Sequence, residues 1–367
     1  MRVVGIDIGN ESVKLVEDFG SNSSSYGPLV VPNVIAKVYG RQVLQEEESA
    51  LSALDVIINS SSLELNNQRY FVGQLAIEHE DSLEIEDTDN KALSEQSLIV
   101  ALTALAYHGI MSSTKDNLTN NQDEVVEYYL GTGLPVRTFE KYHEKFEQRL
   151  LGDHEVTFVT TPKLKNRSIT VIIRKVVVAI EGAAALYHLA TDDNLKINDE
   201  TLANSIVGVC DIGSVTTDLP VINKLNIDNQ FSSGEQIGIS TYLDMIIDEV
   251  EDLYGYRFPS RAKLSLRIKN GDYTIQMIGE GQKNIKPIVD VFFNRAAVRI
   301  TDMIKKRWKK APDVQCFYVL GGGAIALKPY ILESAGPMKV RFIADSELAN
   351  MYGYLKLARM RFNPSRF

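Results

Sequence analysis

Gly5-Ile6-Asp7-Ile8-Gly9-Asn10-Glu11-Ser12-Val13-Lys14 lies at the start of the chain, and Val209-Cys210-Asp211-Ile212-Gly213-Ser214-Val215-Thr216-Thr217-Asp218 lies more than half its length later. Asp-Ile-Gly recurs in both stretches, each at the end of a short apolar run, and a hydroxyl residue follows three positions past each glycine. An apolar β-branched run, a glycine turn and a second apolar run predict a β-hairpin in each place. A unit used twice at this separation predicts two related lobes.

A glycine in a tight turn lets several backbone N–H groups converge on one point, because no Cβ stands in the way. Such a cluster cradles an anion. Two cradles on facing lobes suit the β- and γ-phosphates of one nucleotide. Asp7 and Asp211 would repel bare phosphate, so a cation belongs between them; Mg²⁺, held largely through its waters, fits. Lys14 is spaced to return to the phosphates from the second strand of its hairpin. A third turn, Gly321-Gly322-Gly323-Ala324, follows the apolar run Phe317–Leu320 and allows close approach of backbone to a base or a phosphate. The chain has no GxxxxGK[ST], no GxGxxG after the first strand, no HExxH and no CxxC.

With 367 residues the chain exceeds the roughly 250–300 at which one core stops growing, which again argues for two lobes. Apolar residues make up 44% and charged residues 24%, which excludes a disordered chain. The net charge of −9 makes tight binding to naked DNA a poor expectation. Two cysteines, Cys210 and Cys316, sit in or beside apolar runs and read as buried thiols of a reducing compartment. The N-terminus lacks a signal-peptide pattern, and no run approaches the ~18 apolar residues of a membrane helix. A cytoplasmic location follows as the expectation, and the NxS/T triplets at Asn10, Asn22, Asn59, Asn117 and Asn166 carry no meaning there.

Strands alternate with helices, the pattern of an α/β protein, and the hairpins predict mixed sheets. Strands are predicted at 29–31, 34–38, 70–72, 125–130, 156–160, 169–180 and 340–343, and loops at 20–28 and 111–123. Helices are predicted at 93–110, 139–151 (amphipathic), 242–253, 285–308 and 348–360, with Glu181 opening another. Residues 78–89 hold seven acids, Glu78, Glu80, Asp81, Glu84, Glu86, Asp87 and Asp89, and read as a solvated loop or as a contact for a basic surface. Lys305, Lys306, Arg307, Lys309 and Lys310 read as solvated charge at a helix C-terminus, or as a contact for an acidic neighbour.

In order, Ile6–Lys14, Val178–Leu186, Val209–Asp218, Val319–Ala324 and Asp345–Tyr354 resemble the five motifs of the actin, heat-shock-chaperone and sugar-kinase ATPase superfamily. Within it the chain is most similar to bacterial actin-like proteins of the ParM type, through Val31-Pro32-Asn33-Val34, Val72-Gly73-Gln74-Leu75-Ala76 and Gly133-Leu134-Pro135. The resemblance implies a two-lobed fold around a nucleotide cleft, with lobes at 1–180 and 181–367 and a last helix, about 345–361, returning to the first. It implies an ATPase that uses ATP, or GTP, with Mg²⁺. Asp7 and Asp211 match the metal-side aspartates, Gly9, Asn10 and Lys14 the first phosphate loop, and Gly213 and Ser214 the second. Glu181 matches the residue that orients the attacking water. Gly238 matches a glycine lying against the nucleotide, and Gly321, Gly322 and Gly323 the adenosine loop. Glu11 departs from the pattern, since many relatives carry a small or neutral residue there.

The function implied is a filament that moves or segregates plasmid DNA through a DNA-binding adaptor protein. The partners are then further copies of the chain and the adaptor, with no membrane contact. A non-polymerising ATPase of the same fold or a small-molecule kinase is the alternative. The chain ends soon after the last motif, which disfavours a peptide-binding chaperone.

Overall fold

The computed structural model describes residues 1–18, 27–39, 49–79, 81–84, 90–112, 124–277, 279 and 281–362. The expected loop at 111–123 and four of the seven acids in 78–89, Glu80, Glu86, Asp87 and Asp89, fall largely or wholly outside them, as does most of the Gly/Ser-rich stretch 20–28.

The chain opens with strands β1 (Arg2–Ile8), β2 (Ser12–Glu17), β3 (Leu29–Pro32), β4 (Val34–Lys37), β5 (Leu54–Ser60) and β6 (Gln68–Val72). Helix α1 (Gln74–Glu78), strand β7 (Ser82–Glu84) and helix α2 (Glu95–Met111) follow. Then come β8 (Glu124–Leu134), α3 (Val136–Leu150), β9 (Gly152–Phe158) and β10 (Arg167–Ile180). Helices α4 (Ala183–Ala190) and α5 (Glu200–Ala203) lead to β11 (Ile206–Ile212), β12 (Thr217–Asn223) and β13 (Asn226–Glu235). The remainder is α6 (Ile239–Tyr254), α7 (Arg261–Lys269), β14 (Thr274–Met277), β15 (Gly281–Asn284), α8 (Lys286–Lys310), β16 (Phe317–Leu320), α9 (Gly322–Ala335), β17 (Val340–Phe342) and α10 (Ala349–Phe362).

Two mixed sheets form, as the hairpins predict. One has ten strands in the order β3-β2-β1-β8-β10-β9-β5-β6-β4-β7, the other five in the order β13-β12-β11-β16-β17. Each has its own core: Ile6, Leu54, Tyr128 and Phe158 lie in the first, and Val289, Phe293, Phe317 and Ile331 in the second. Cys210 and Cys316 are buried free thiols. No helix among the described residues is long and apolar enough to cross a membrane.

Helix α10 joins the halves. It packs on β1, β8 and α4, and the fit leaves no room for side chains beneath it. A Cβ on Gly131 would stand 2.0 Å from the Tyr354 carbonyl oxygen, and one on Gly5 2.3 Å from that of Met351. This corrects the prediction that the strand near 125 stops at Leu130. It runs on through Gly131 and Gly133 to Leu134, because those glycines serve helix contact and not chain reversal.

Two charge runs also differ from expectation. Ser82–Glu84 is not solvated loop but an edge strand on β4. The Glu84 carboxylate accepts from the Arg261 and Ala262 amides (3.2 and 2.6 Å), which are unpaired donors at the start of α7. In the basic run, Arg307 is not solvated: it donates to the Phe231 carbonyl at 2.6 Å and to Ser233, tying α8 to β13.

Candidate functional site

The two Asp-Ile-Gly segments fold as the same object. β1 and β2 pair with Asp7 opposite Lys14, and β11 and β12 with Asp211 opposite Asp218. The turns close with equivalent bonds, from Gly9 N–H to the Ser12 carbonyl (3.1 Å) and from Gly213 N–H to that of Thr216 (2.9 Å). Both turns enter one cleft of about 580 Å³. Asp7, Gly9, Asn10 and Lys14 line it from the first hairpin, Asp211, Gly213 and Ser214 from the second, and Glu181, Gly321 and Gly322 from elsewhere.

Two of the glycines singled out in the sequence stand behind this lining. Gly238 lies under the second turn, where a Cβ would be 2.0 Å from the Ser214 carbonyl oxygen. The next two amides, of Ile239 and Ser240, donate to the Gly213 and Ser214 carbonyls. Gly323 packs on Ile212, where a Cβ would stand 2.7 Å from the Ile212 γ2 methyl. Gly321 takes φ +92°, and a Cβ there would stand 2.4 Å from the Ile212 carbonyl oxygen, so this turn requires glycine.

Glu181 does not open a helix. It forms the turn after β10, its N–H on the Leu134 carbonyl at 3.0 Å, and Gly182, at φ +78°, is the residue that precedes α4. Its carboxylate meets the ammonium of Lys91, a buried lysine. Burial pushes the Glu181 carboxyl up, Lys91 opposes it, and the balance is upward. Burial pulls Lys91 down, and Glu181 and Asp7 more than offset that.

A network fixes this turn to the second hairpin. Asn350 on α10 accepts from the Gly182 amide (2.9 Å) and donates to the Asp211 carboxylate (2.6 Å). Asp211 is nevertheless pushed up to about 7, first by burial and then by Glu181. Asp218 is raised well above the usual range by burial, with Glu181 and Asp211 adding to it, and it accepts from the Val136 amide at the start of α3 at 3.0 Å.

Sequence reasoning did not single out Lys91, Asn350 or, as a site residue, Asp218. The repeated motif could have found Asp218, because hairpin register sets it across from Asp211 as Lys14 is set across from Asp7. Lys91 and Asn350 carry no local signal.

The cleft fits a phosphate-bearing ligand. It has two glycine turns and two buried lysines, Lys14 and Lys91; the side-chain oxygen of Asn10, an acceptor buried without a partner in the protein, suits a bound water or a cation beside the phosphates. It does not fit a metal caged by protein alone, since among the described residues no three His, Cys, Asp or Glu side chains converge. Asp7 and Asp211 fit an ion shared with phosphate oxygens and water.

Two mixed sheets, each with a hairpin turned into a common cleft and a helix returning across them, define the actin-like class of fold. The chain belongs to the actin-like proteins: residues 5–183 match the family model for the N-terminal domain of actin-like proteins, and residues 209–333 that for the C-terminal part of the archaeal actin homologue MreB-like proteins. Among curated protein sequences none matches the chain. Solved structures of similar fold include a pCBH ParM non-polymerisable quadruple mutant, with TM-score 0.76 and 21% identity over 98% of this chain and 99% of that one. A 15-stranded ParM filament from Clostridium botulinum gives 0.74 and 20% over 98% and 99%. A Bacillus thuringiensis ParM hybrid with ADP, containing two ParM mutants, gives 0.72 and 19%; the match covers 98% of this chain and 49% of the hybrid.

Proposed function

We propose that this chain is a cytoplasmic, ParM-type ATPase that forms filaments with its own copies and moves or segregates plasmid DNA through a DNA-binding adaptor. The observation that carries the reading is the pair of matching turns, with Asp7 and Asp211, facing one cleft beside Glu181. The likeness to ParM structures, one a filament and one with ADP, supports it. The lobes are taken as residues 1–180 and 181–367, with α10 crossing back. The net charge of −9 leaves the DNA link to the adaptor.

In this reading the turns at Gly9 and Gly213, closed by those residues' own amides, present the amides of Asn10 and Ser214 to the phosphates, and Lys14 and Lys91 offset their charge. Gly321 and Gly322 admit the adenosine end, with Gly323 and Gly238 supporting the turns from behind. Asp7 and Asp211 would hold Mg²⁺, which would supply neutralisation of charge at the phosphoryl oxygens. Glu181, its carboxylate held by Lys91, accepts a hydrogen bond from the attacking water and aims it.

The test follows light scattering and phosphate release together after one addition of Mg-ATP, with GTP run alongside. The wild type gives scattering that rises and then decays as phosphate appears. Glu181→Ala still binds and polymerises, but releases phosphate roughly 10²–10⁴-fold more slowly, and its filaments persist. Turnover with flat scattering would leave a non-polymerising ATPase, and normal turnover in the variant would remove Glu181 from the chemistry.

A further inference from the structure

Glu11 takes no part in the chemistry above, although it lines the same cleft. It sits in the first turn, between the phosphate-gripping Asn10 and the start of β2. Its carboxylate leaves that turn and crosses to the other side. One oxygen accepts from the Lys269 ammonium at 2.7 Å and from the Ser265 hydroxyl at 3.1 Å, both on α7. The other lies 3.2 Å from where a Cβ on Gly322 would stand, against the third glycine turn. Burial alone would push Glu11 up; Lys269 and Lys14 outweigh it, so the group is held below the usual carboxylate range and is ionised at neutral pH.

An internal anion therefore sits on a lysine at the mouth of a cleft whose other features suit an external anion. Helix α7 does not depend on Glu11 for its place. Glu84 holds its N-terminal amides, and Leu264 on its inner face is buried in the second core. Lys269 thus stays at the mouth when Glu11 lets go. The pair is half-exposed, with 29% of the Glu11 side chain and 47% of the Lys269 side chain accessible, so its strength is modest and exchange is easy.

We propose that Ser265 and Lys269 form an anion subsite at the cleft mouth, held by Glu11 in the free protein and taken over by a nucleoside di- or triphosphate on binding, which makes Glu11 an internal competitor that lowers nucleotide affinity. This rests on the nucleotide reading of the cleft. A clasp that closes the lobes over a bound nucleotide would behave in the opposite sense, because losing it would weaken binding.

The experiment is calorimetric titration of the full chain with Mg-ADP, which binds without turnover. Glu11→Gln, a mild change at a partly exposed position, is expected to bind about 1.5- to five-fold tighter than the wild type, the range for an ion pair of this exposure. Lys269→Met is expected to bind more weakly, since it removes the donor and leaves Glu11 unpaired near the phosphates. Glu11→Gln binding equal to or weaker than a measurable wild type overturns the competitor and leaves the nucleotide reading intact. Binding by Glu11→Gln alone, with none by the wild type, is the proposal in its strongest form. If neither binds any nucleotide, the proposal and the reading beneath it both fall.

Discussion

In the hairpin of β1 and β2, Asp7 stands opposite Lys14; in that of β11 and β12, Asp211 stands opposite Asp218. The backbones match turn for turn, but the charge does not. Lys14 lies 3.5 Å from Asp7, and both are buried, so the first hairpin carries its own counter-charge. The second sets two buried acids side by side, and both are displaced upward. It has no counter-charge of its own: Lys14 and Lys91 reach it from other elements, and a proton or a cation from outside must supply the rest. The duplicated fold thus supplies two anion cradles, of which one is internally neutral and the other depends on what binds.

The largest expected effect tests that asymmetry in the proposed reaction. Asp211→Ala removes the acid that relies on an external cation, and phosphate release at saturating Mg-ATP is expected to fall by about 10²–10³-fold, as when a metal contact is lost. Asp7→Ala leaves Lys14 free to face the phosphates, so its loss is expected to be smaller. Single-turnover phosphate release on both variants settles the order. Equal losses would mean that the two hairpins act alike despite their charges.

A smaller effect is expected from making the first hairpin resemble the second. Lys14→Met leaves Asp7 buried without its partner and removes a charge-assisted contact to phosphate. Mg-ADP affinity is expected to fall about ten-fold, the usual scale for one such hydrogen bond. Unchanged affinity in a titration would show that Lys14 serves Asp7 alone.

Much of this contrast was legible before the structure, and the illegible parts share a cause. Asp7, Gly9, Lys14, Asp211 and Gly213 announce themselves because the motif is local and repeated. Gly321–Gly323 does so because glycines after a buried strand mark a turn. Lys91 lies in a polar stretch with no periodicity. It is buried against Glu181, at the turn after β10, and that meeting is a property of the assembled fold. Asn350 is one polar residue in a helix, and its role arises from where α10 crosses. Gly131 and Gly133 misled the strand boundary for the same reason, since the partner that demands them is more than 200 residues away in Tyr354. The acidic run around residues 82–84 hid an edge strand, because the burial that makes Glu84 useful comes from α7.

The smallest expected effect isolates the acid pair itself. Asp218→Asn keeps an oxygen for the Val136 amide and removes one of the two charges. In the folded wild type Asp218 holds its proton to a higher pH than the ordinary value of about 3.9 in the unfolded chain. The folded state therefore binds more protons than the unfolded one as pH rises above about 4, and stability falls with pH through that window. Buried histidines act in the opposite sense: His108 is held down to about 4 by burial and Arg2, and His188 to about 4 by burial and Lys356. Both weaken the fold as pH drops below about 6.5, but they do so equally in wild type and variant and cancel in the difference. The melting temperature of Asp218→Asn is thus expected to exceed that of the wild type by a margin that grows from pH 5 to pH 8, reaching about 1–2 °C for each kcal/mol relieved. Adding Mg-ATP should narrow the margin at pH 8, because the cation stabilises the ionised acids of the wild type. A margin independent of pH would mean that the second hairpin is not under charge strain, and that its difference from the first is one of sequence alone.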